Sequence, residues 1–285
     1  MDQITIKESC LLPGNCLHSG EKTTLHFHPA PANHGIVFFR SDKNLNIPAT
    51  YKHAIPSLLC TTVEKDGVRV STVEHLLSVC NGLGIDNLMI ELDSDEVPIM
   101  DGSGSAFYQK LRSTGLKRLG EPKKVIRILD TVSFRKNDIT IFLTPSESPS
   151  FTFSIEYDHH QIGTQEFTFE LNEHNYRSQI VKAKTFCLER DVEKMKKQGL
   201  IKGGDKSNAI VLDKHGHFDN MEIMTWLNEP NLHKILDQVG DFFLADNLKI
   251  IGNSFSHRSG HATNLEFITY LMEECREKYA IVETV

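Results

Sequence analysis

The stretch Leu119-Gly120-Glu121-Pro122-Lys123-Lys124 divides the sequence into two halves with a similar order of strand and helix patterns. Glycine and proline among charged residues are typical of a turn or linker, because neither residue favours the interior of a helix or of a central strand. On each side of this stretch, segments with strand patterns come first and segments with helix patterns follow. We therefore predict two α+β domains of similar topology, residues 1–120 and residues 125–285.

Periodicity and turn signals predict the elements of both halves. Strand patterns lie at residues 23–28, 35–40, 59–70, 87–92, 209–212 and 249–252, and residues 125 to about 171 are read as strands throughout. Helix patterns lie at residues 71–80, 106–114, 175–182, 189–198, 231–245 and 262–278. Asp66-Gly67 marks a hairpin turn within the third strand segment. Strands followed by helices, twice over, favour an α+β fold over a doubly wound parallel sheet.

Composition excludes several classes of protein. The 285 residues carry 31 basic and 38 acidic side chains, a net charge of −7, so a surface that neutralises duplex phosphates is not expected. The N-terminus lacks a basic and apolar targeting pattern, and no run of about 18 apolar residues predicts a membrane span. The six cysteines are scattered without a Cys-x-x-Cys pair. We expect a cytoplasmic protein that binds no nucleic acid.

The segment 231–245 carries the first chemical signal. At about 100° per residue, His233, Asp237 and Asp241 fall on one stripe of the predicted helix, beside a separate apolar stripe. An imidazole and a carboxylate four residues apart can bind one divalent cation, and mixed nitrogen and oxygen ligands suit zinc. The same spacing also fits solvated side chains on a helix surface.

Two further segments carry candidate residues, each with a plainer alternative. Glu74 precedes His75 at a predicted helix start and could act as a base beside a ligand. Ser71 and Glu74 also fit a capping box, in which Glu74 only bonds its own helix N-terminus. His261 follows a glycine at the start of the last helix, where Asp241 is the carboxylate we expect to compensate the helix dipole; the alternative is an exposed histidine.

Six ordered motifs together resemble the UDP-3-O-acyl-N-acetylglucosamine deacetylase family, which performs the committed step of lipid A synthesis. The resemblance extends from about residue 11 to residue 271. The motifs are Ser71-Thr72-Val73-Glu74-His75-Leu76, Gly82-Leu83-Gly84-Ile85-Asp86-Asn87, Val97-Pro98-Ile99-Met100-Asp101-Gly102-Ser103, Ala183-Lys184-Thr185-Phe186, His233-Lys234-Ile235-Leu236-Asp237 and Ser259-Gly260-His261-Ala262.

The resemblance implies a site and its cofactor. By similarity, His75, His233 and Asp237 bind one catalytic Zn²⁺ and leave a position open for water. The expected catalytic residues are Glu74 as general base, Thr185 as an oxyanion stabiliser, and His261 as general acid held cationic by Asp241. How proton transfer divides between Glu74 and His261 is left open by the sequence.

The resemblance also implies how the substrate binds. Lys234 faces its anionic part, and Tyr157 lies where relatives place an aromatic beside the uracil, although a half-buried strand tyrosine is the alternative. Residues 186–213 resemble an inserted β-α-β unit that forms an apolar passage for the acyl chain. The candidate substrate-binding residues of this unit are Phe186, Val192, Ile201, Ala209 and Val211, which could equally be its ordinary core. Cys187 and Asn208 depart from the family pattern and leave the preferred acyl length open.

The family implies a fold in which helices are sandwiched between the sheets of two domains. It also implies a UDP-linked acylated glucosamine substrate, a monomer, and at most a transient contact with a membrane surface. Two alternatives remain. One is a zinc amidohydrolase of the same fold that acts on a different N-acetyl sugar, and the other is a protein with a structural, non-catalytic metal.

Overall fold

The computed structural model of the chain describes residues 1–57, 59–158, 161–213, 215 and 217–284. His159 and His160, within the predicted strand region, lie outside the described residues. The strands of the first half are β1 (Asp2–Ile6), β2 (Cys10–Asn15), β3 (Lys22–Pro29), β4 (Ile36–Arg40), β5 (Leu45–Pro48), β6 (Ala54–Ile55), β7 (Thr62–Lys65), β8 (Val68–Ser71), β9 (Leu88–Leu92) and β10 (Leu116–Pro122). Its helices are α1 (Glu74–Leu83) and α2 (Ser105–Thr114).

The second half repeats this composition and adds longer helices. Its strands are β11 (Lys124–Ile128), β12 (Val132–Lys136), β13 (Ile139–Thr144), β14 (Ser150–Glu156), β15 (Thr164–Glu170), β16 (Phe186–Leu188), β17 (Ile210–Leu212), β18 (Lys249–Ile251), β19 (Asn253–His257) and β20 (Tyr279–Glu283). Its α-helices are α3 (Glu173–Asn175), α4 (Glu189–Lys197), α5 (Glu229–Phe242) and α6 (His261–Glu274). A π-helical turn (Tyr176–Ile180) and two 3₁₀ turns (Met221–Ile223 and Arg276–Lys278) complete it.

One five-stranded sheet lies in each half, and the two sheets share a topology. The first has the strand order β2-β3-β9-β4-β5 and the second the order β12-β13-β19-β14-β15. In both sheets, the only parallel pair among these described strands joins the third and fourth strands of this order, β9 with β4 and β19 with β14. The α+β prediction with two units of similar topology is therefore confirmed.

The helices α1 and α5 occupy the interior. Every residue of α1 is buried, and Lys234 is the one residue of α5 that is not. The two helices pack against each other, and α5 also contacts β14 and β15 of the second sheet. A helix buried on all faces needs protein on every side, so these two helices lie within one apolar core to which both sheets contribute.

The predicted linker is wrong in its local structure. Leu119 to Pro122 lie in β10, which pairs with β1, and β11 begins two residues later at Lys124. The strand β11 then pairs with β18 and β20. Strand partners from the two ends of the chain keep this segment extended despite its glycine and proline, and local turn signals cannot reveal such partners. A domain boundary at residues 120–125 stays a prediction.

Other local predictions differ by a few residues. The Asp66-Gly67 hairpin between β7 and β8 is confirmed, and both turn residues have positive φ, as this turn requires. The helix predicted from Ser71 begins three residues later, at Glu74. The last predicted helix ends at Glu274, and strand β20 follows after a 3₁₀ turn, although no strand was predicted there.

Candidate metal centre and active site

The first turn of α1 presents Glu74 and His75 to the interior. Ser71 ends strand β8, and its hydroxyl donates to the carbonyl of Asp95, so the capping box proposed for Ser71 and Glu74 is absent. Thr72, between them, has a φ of 59°, a conformation that β-branched residues rarely adopt. The sharp turn directs the chain from the strand into α1 and leaves the Glu74 carboxylate free for contacts outside its own helix.

The polar stripe of α5 is buried rather than solvated. His233, Asp237 and Asp241 lie on one face of the helix and are each at most 3% exposed. The alternative of a solvated surface pair is therefore wrong for His233 and Asp237. Buried polar side chains need partners, because an unpaired buried charge is costly in free energy.

His75, His233 and Asp237 converge on a common point. One ligand atom from each lies within 4.8 Å of the other two. The Oδ1 atom of Asp237 is 3.2 Å from Nε2 of His233 and 3.5 Å from Nε2 of His75. The two imidazole rings meet edge to face at a centroid distance of 4.9 Å. Groups from two helices that lie far apart in the sequence thus point at one small volume.

The protonation states of His233 and Asp237 favour a cation in the cluster. Burial lowers the pKa of His233 to about 3, so its ring is neutral. Its Nδ1 lies 3.0 Å from the carbonyl of Ala183, which fixes the proton on Nδ1 and leaves the Nε2 lone pair facing the cluster. Burial opposes ionisation of Asp237, but the positive charges of Lys234 and His261 outweigh it and hold its pKa well below the usual range.

One candidate ligand atom of the cluster lacks the partner that a buried polar atom normally has. Oδ1 of Asp237 is buried without a hydrogen-bond partner among the described residues, although nearly all buried polar atoms in proteins have one. A carboxylate oxygen facing two imidazole nitrogens is the donor set that a divalent transition metal takes. The three residues therefore fit a metal ion at this point.

A glycine allows the two helices to bring these ligands together. A Cβ atom on Gly240 would lie 2.1 Å from the carbonyl oxygen of Glu74 and 3.0 Å from the backbone nitrogen of Ser78. Residue 240 must therefore lack a side chain for α1 and α5 to approach this closely. The glycine lies between the ligand Asp237 and Asp241, one turn along α5 from the cluster.

A second group of side chains lies beside the ligands. The Nδ1 atom of His261 is 3.0 Å from Oδ2 of Asp241, and its Nε2 is 3.7 Å from Oδ2 of Asp237. His261 is the first residue of α6, as predicted, and it is largely buried rather than exposed. Asp241 also accepts hydrogen bonds from Asn264 at 2.8 Å and from Thr61 at 2.5 Å.

Burial and neighbouring charge move two pKa values in this group. Burial raises the pKa of Glu74, and the positive charge of His261 only partly offsets it. Burial disfavours the charged form of His261, but the carboxylates of Asp241, Asp237 and Glu74 outweigh it and raise its pKa to about 9. A carboxyl group with a raised pKa and a cationic imidazole thus lie on the same side of the cluster.

All the predicted substrate-binding residues line one cavity that has the three candidate metal ligands in its wall. The cavity has a volume of about 780 Å³ and also includes Glu74, Thr185 and His261 in its lining. The residues predicted to bind substrate that line it are Tyr157, Phe186, Val192, Ile201, Ala209, Val211 and Lys234. The sequence separates these residues widely, and the fold brings them together with the ligands.

The individual side chains of the cavity have defined neighbours. Tyr157 and Phe186 pack edge to face with centroids 5.6 Å apart. Lys234 donates to Asp237 at 2.9 Å; its partial burial opposes its charge, but the aspartate keeps its pKa raised. The charge of Lys234 is therefore already paired with a candidate metal ligand. Strands β16 and β17 pair in parallel around α4, so residues 186–212 form the predicted β-α-β unit.

Sequence reasoning missed two residues of the second group, Thr61 and Asn264. Neither lies in a motif with a recognisable spacing, and Thr61 is 180 residues from Asp241 in the chain. It also missed His18, which lines the cavity and whose two buried ring nitrogens have no hydrogen-bond partner in the part of the chain that the structure describes. Thr61 lies just before strand β7 and Asn264 lies three residues after His261, and neither position predicts these contacts.

Comparison with known proteins supports the resemblance found in the sequence. The family model described as UDP-3-O-acyl N-acetylglycosamine deacetylase (LpxC) matches residues 3–273. Three relatives named UDP-3-O-acyl-N-acetylglucosamine deacetylase are each 38% identical to the chain. The Myxococcus xanthus protein aligns with 96% of this chain and 87% of its own length. For the Nitratiruptor and Wolinella succinogenes proteins these shares are 99% and 94%. Because the family model and these relatives extend over nearly the whole sequence, the chain belongs to the UDP-3-O-acyl-N-acetylglucosamine deacetylase family.

Proposed function

We propose that the protein hydrolyses the N-acetyl group of UDP-3-O-acyl-N-acetylglucosamine to the free amine and acetate, as a step of lipid A synthesis. The observation that carries this proposal is the position of Glu74 and His261 directly beside the His75, His233 and Asp237 cluster, in the wall of a single cavity. A purely structural metal site needs neither a base nor an acid. Membership of the family supplies the substrate class.

Zinc is the ion that we propose for the cluster, because two imidazoles and one carboxylate are a common ligand set of catalytic zinc. When bound with an open position, zinc acidifies a water molecule and polarises a carbonyl group. The neutral ring of His233 and the ionised carboxylate of Asp237 are already in the states that metal binding requires.

Glu74 is the proposed general base. Its carboxylate is buried, and one oxygen accepts a hydrogen bond from the backbone of Thr61 at 2.9 Å, which fixes its orientation. A pKa raised by burial brings a carboxylate closer to the pH at which it must accept a proton. It takes the proton of the water whose oxygen bonds to the acetamide carbonyl carbon.

Thr185 and His261 are proposed to complete the reaction. Thr185 lines the cavity, and its hydroxyl is proposed to donate to the carbonyl oxygen as negative charge develops there. His261 donates its Nε2 proton to the nitrogen as the carbon–nitrogen bond breaks, so the amine and acetate leave. Asp241 keeps this imidazole protonated through the contact at Nδ1.

The remaining cavity residues are proposed to hold the substrate. Lys234 faces its anionic part, and Tyr157 stacks near the uracil. Phe186 and the apolar side chains Val192, Ile201, Ala209 and Val211 surround the acyl chain in the β-α-β unit. Among the described residues, no helix is both long and apolar enough to cross a bilayer. We further propose a cytoplasmic monomer that meets the membrane surface at most transiently.

Acetate release from purified protein tests the proposed function. The zinc-loaded protein is incubated with UDP-3-O-acyl-N-acetylglucosamine and, in parallel, with the same sugar lacking UDP and with simple N-acetyl sugars. Rapid release of acetate from the first substrate alone supports the proposal. Cleavage only of the other amides would identify a zinc amidohydrolase of this fold with a different substrate, and no cleavage of any would indicate a structural metal.

A further inference from the structure

We propose that Thr61 is a positioning residue that fixes the general base and the general acid relative to each other. This inference rests on the proposed function, because it concerns the same two groups. Thr61 lies just before strand β7, is 4% exposed, and does not line the cavity. It therefore cannot touch the substrate and can act only through its neighbours.

The backbone of Thr61 anchors the start of α1. Its N–H group donates to Oε2 of Glu74 at 2.9 Å, and its carbonyl accepts from the backbone nitrogen of Val73 at 3.2 Å. One residue thus bonds both the carboxylate of the proposed base and the turn that carries it. Because these are main-chain bonds, a side-chain substitution at residue 61 leaves them in place.

The hydroxyl of Thr61 anchors the proposed acid. It donates to Oδ1 of Asp241 at 2.5 Å, and its oxygen lies 3.2 Å from Nδ1 of His261. Since the hydroxyl proton points at the carboxylate, the oxygen lone pair faces the imidazole and accepts from Nδ1–H. Nδ1 is thereby held protonated between Thr61 and Asp241, and Nε2 is left facing Asp237 and the cavity.

Loss of the hydroxyl leaves a buried carboxylate oxygen without its donor. Oδ2 of Asp241 keeps Asn264 and His261, whereas Oδ1 has Thr61 as its side-chain donor among the described residues. The carboxylate is then free to rotate, and the imidazole ring rotates with it. Small displacements of a catalytic group lower the rate of the chemical step more than they weaken substrate binding.

Thr61→Val removes the hydroxyl while keeping the branched shape, and Thr61→Ser keeps the hydroxyl while removing the methyl group. We expect Thr61→Val to lower kcat by about 10- to 100-fold with little change in KM or zinc content. Thr61→Ser should keep kcat close to the wild-type value. Thr62→Val is the matched control, because Thr62 is the adjacent buried residue and its hydroxyl contacts only Cys60 among the described residues, at 3.8 Å.

An unchanged kcat in Thr61→Val, or an equal loss in Thr61→Ser, would overturn the proposal, since the second result would assign the effect to packing. A measurement without substrate distinguishes a failure of this proposal from a failure of the proposed function. In zinc-loaded protein, the Nδ1–H nuclear magnetic resonance signal of His261 should shift and exchange faster with water in Thr61→Val only. An identical signal in all variants would refute the role of Thr61, even if the wild type released no acetate from the UDP-linked substrate.

Discussion

Gly240→Ala tests whether close contact between two buried helices builds the metal site. By helix propensity alone, alanine in place of a helical glycine stabilises a protein by about 1 kcal/mol. In this fold the added Cβ would lie 2.1 Å from the carbonyl oxygen of Glu74, whereas the closest comfortable carbon–oxygen contact is about 3.3 Å. One helix must therefore move away from the other by about 1 Å.

That movement acts directly on the ligands. His75 adjoins Glu74 on α1, and Asp237 lies one turn before Gly240 on α5, so the 3.5 Å between their facing atoms grows with the separation. Zinc sites tolerate errors of about 0.2 Å in ligand position. We expect the variant to bind zinc at least about 10-fold more weakly, by the magnitude typical of disturbed ligand support.

Zinc affinity is measured by competition with a chelator of known affinity, and stability by thermal unfolding of the zinc-free protein. Overpacking should lower the stability by about 1–3 kcal/mol despite the better helix propensity. The zinc-free measurement separates packing from metal binding, because no ligand contributes to it. A variant that is more stable than the wild type and binds zinc equally well would refute the argument from helix contact.

Three further predictions concern the proposed chemistry. Glu74→Gln should retain zinc but lose about 100-fold or more in kcat, because general base catalysis is removed; full activity would exclude Glu74 as the base. His75→Ala should contain less zinc by elemental analysis, and an unchanged zinc content would refute its assignment as a ligand. The wild-type rate should fall as the pH rises through the pKa of His261, because only the imidazolium donates a proton. A bound cation lowers that pKa from about 9, so the alkaline limb should lie below it and be absent in His261→Gln.

Much of the local structure could be predicted from the sequence because its causes are local. The helical spacing of His233 and Asp237 predicts their common face, and the Asp66-Gly67 turn predicts the hairpin. The strand identity of residues 119–124 could not be predicted, since its partners lie at both ends of the chain. Turn-forming residues there gave the opposite local signal.

The candidate site also depends on contacts between residues that lie far apart in the sequence, and these could not be predicted. The ligand types were evident from the motifs, but the burial of His233 and Asp237, which excludes the solvated alternative, depends on the packing of α1 against α5. The contacts of Thr61 with the site could not be predicted from the sequence. Its hydroxyl contacts residues 180 and 200 positions away, and no spacing rule connects them.

The central claim is that one metal ion is held jointly by His75, His233 and Asp237. Diffraction from zinc-loaded crystals at the zinc absorption edge tests it most directly. We predict one strong anomalous peak about 2.0–2.2 Å from Nε2 of both histidines and from a carboxylate oxygen of the aspartate. A peak elsewhere, or ligand atoms that do not share one peak at full zinc loading, would contradict the account.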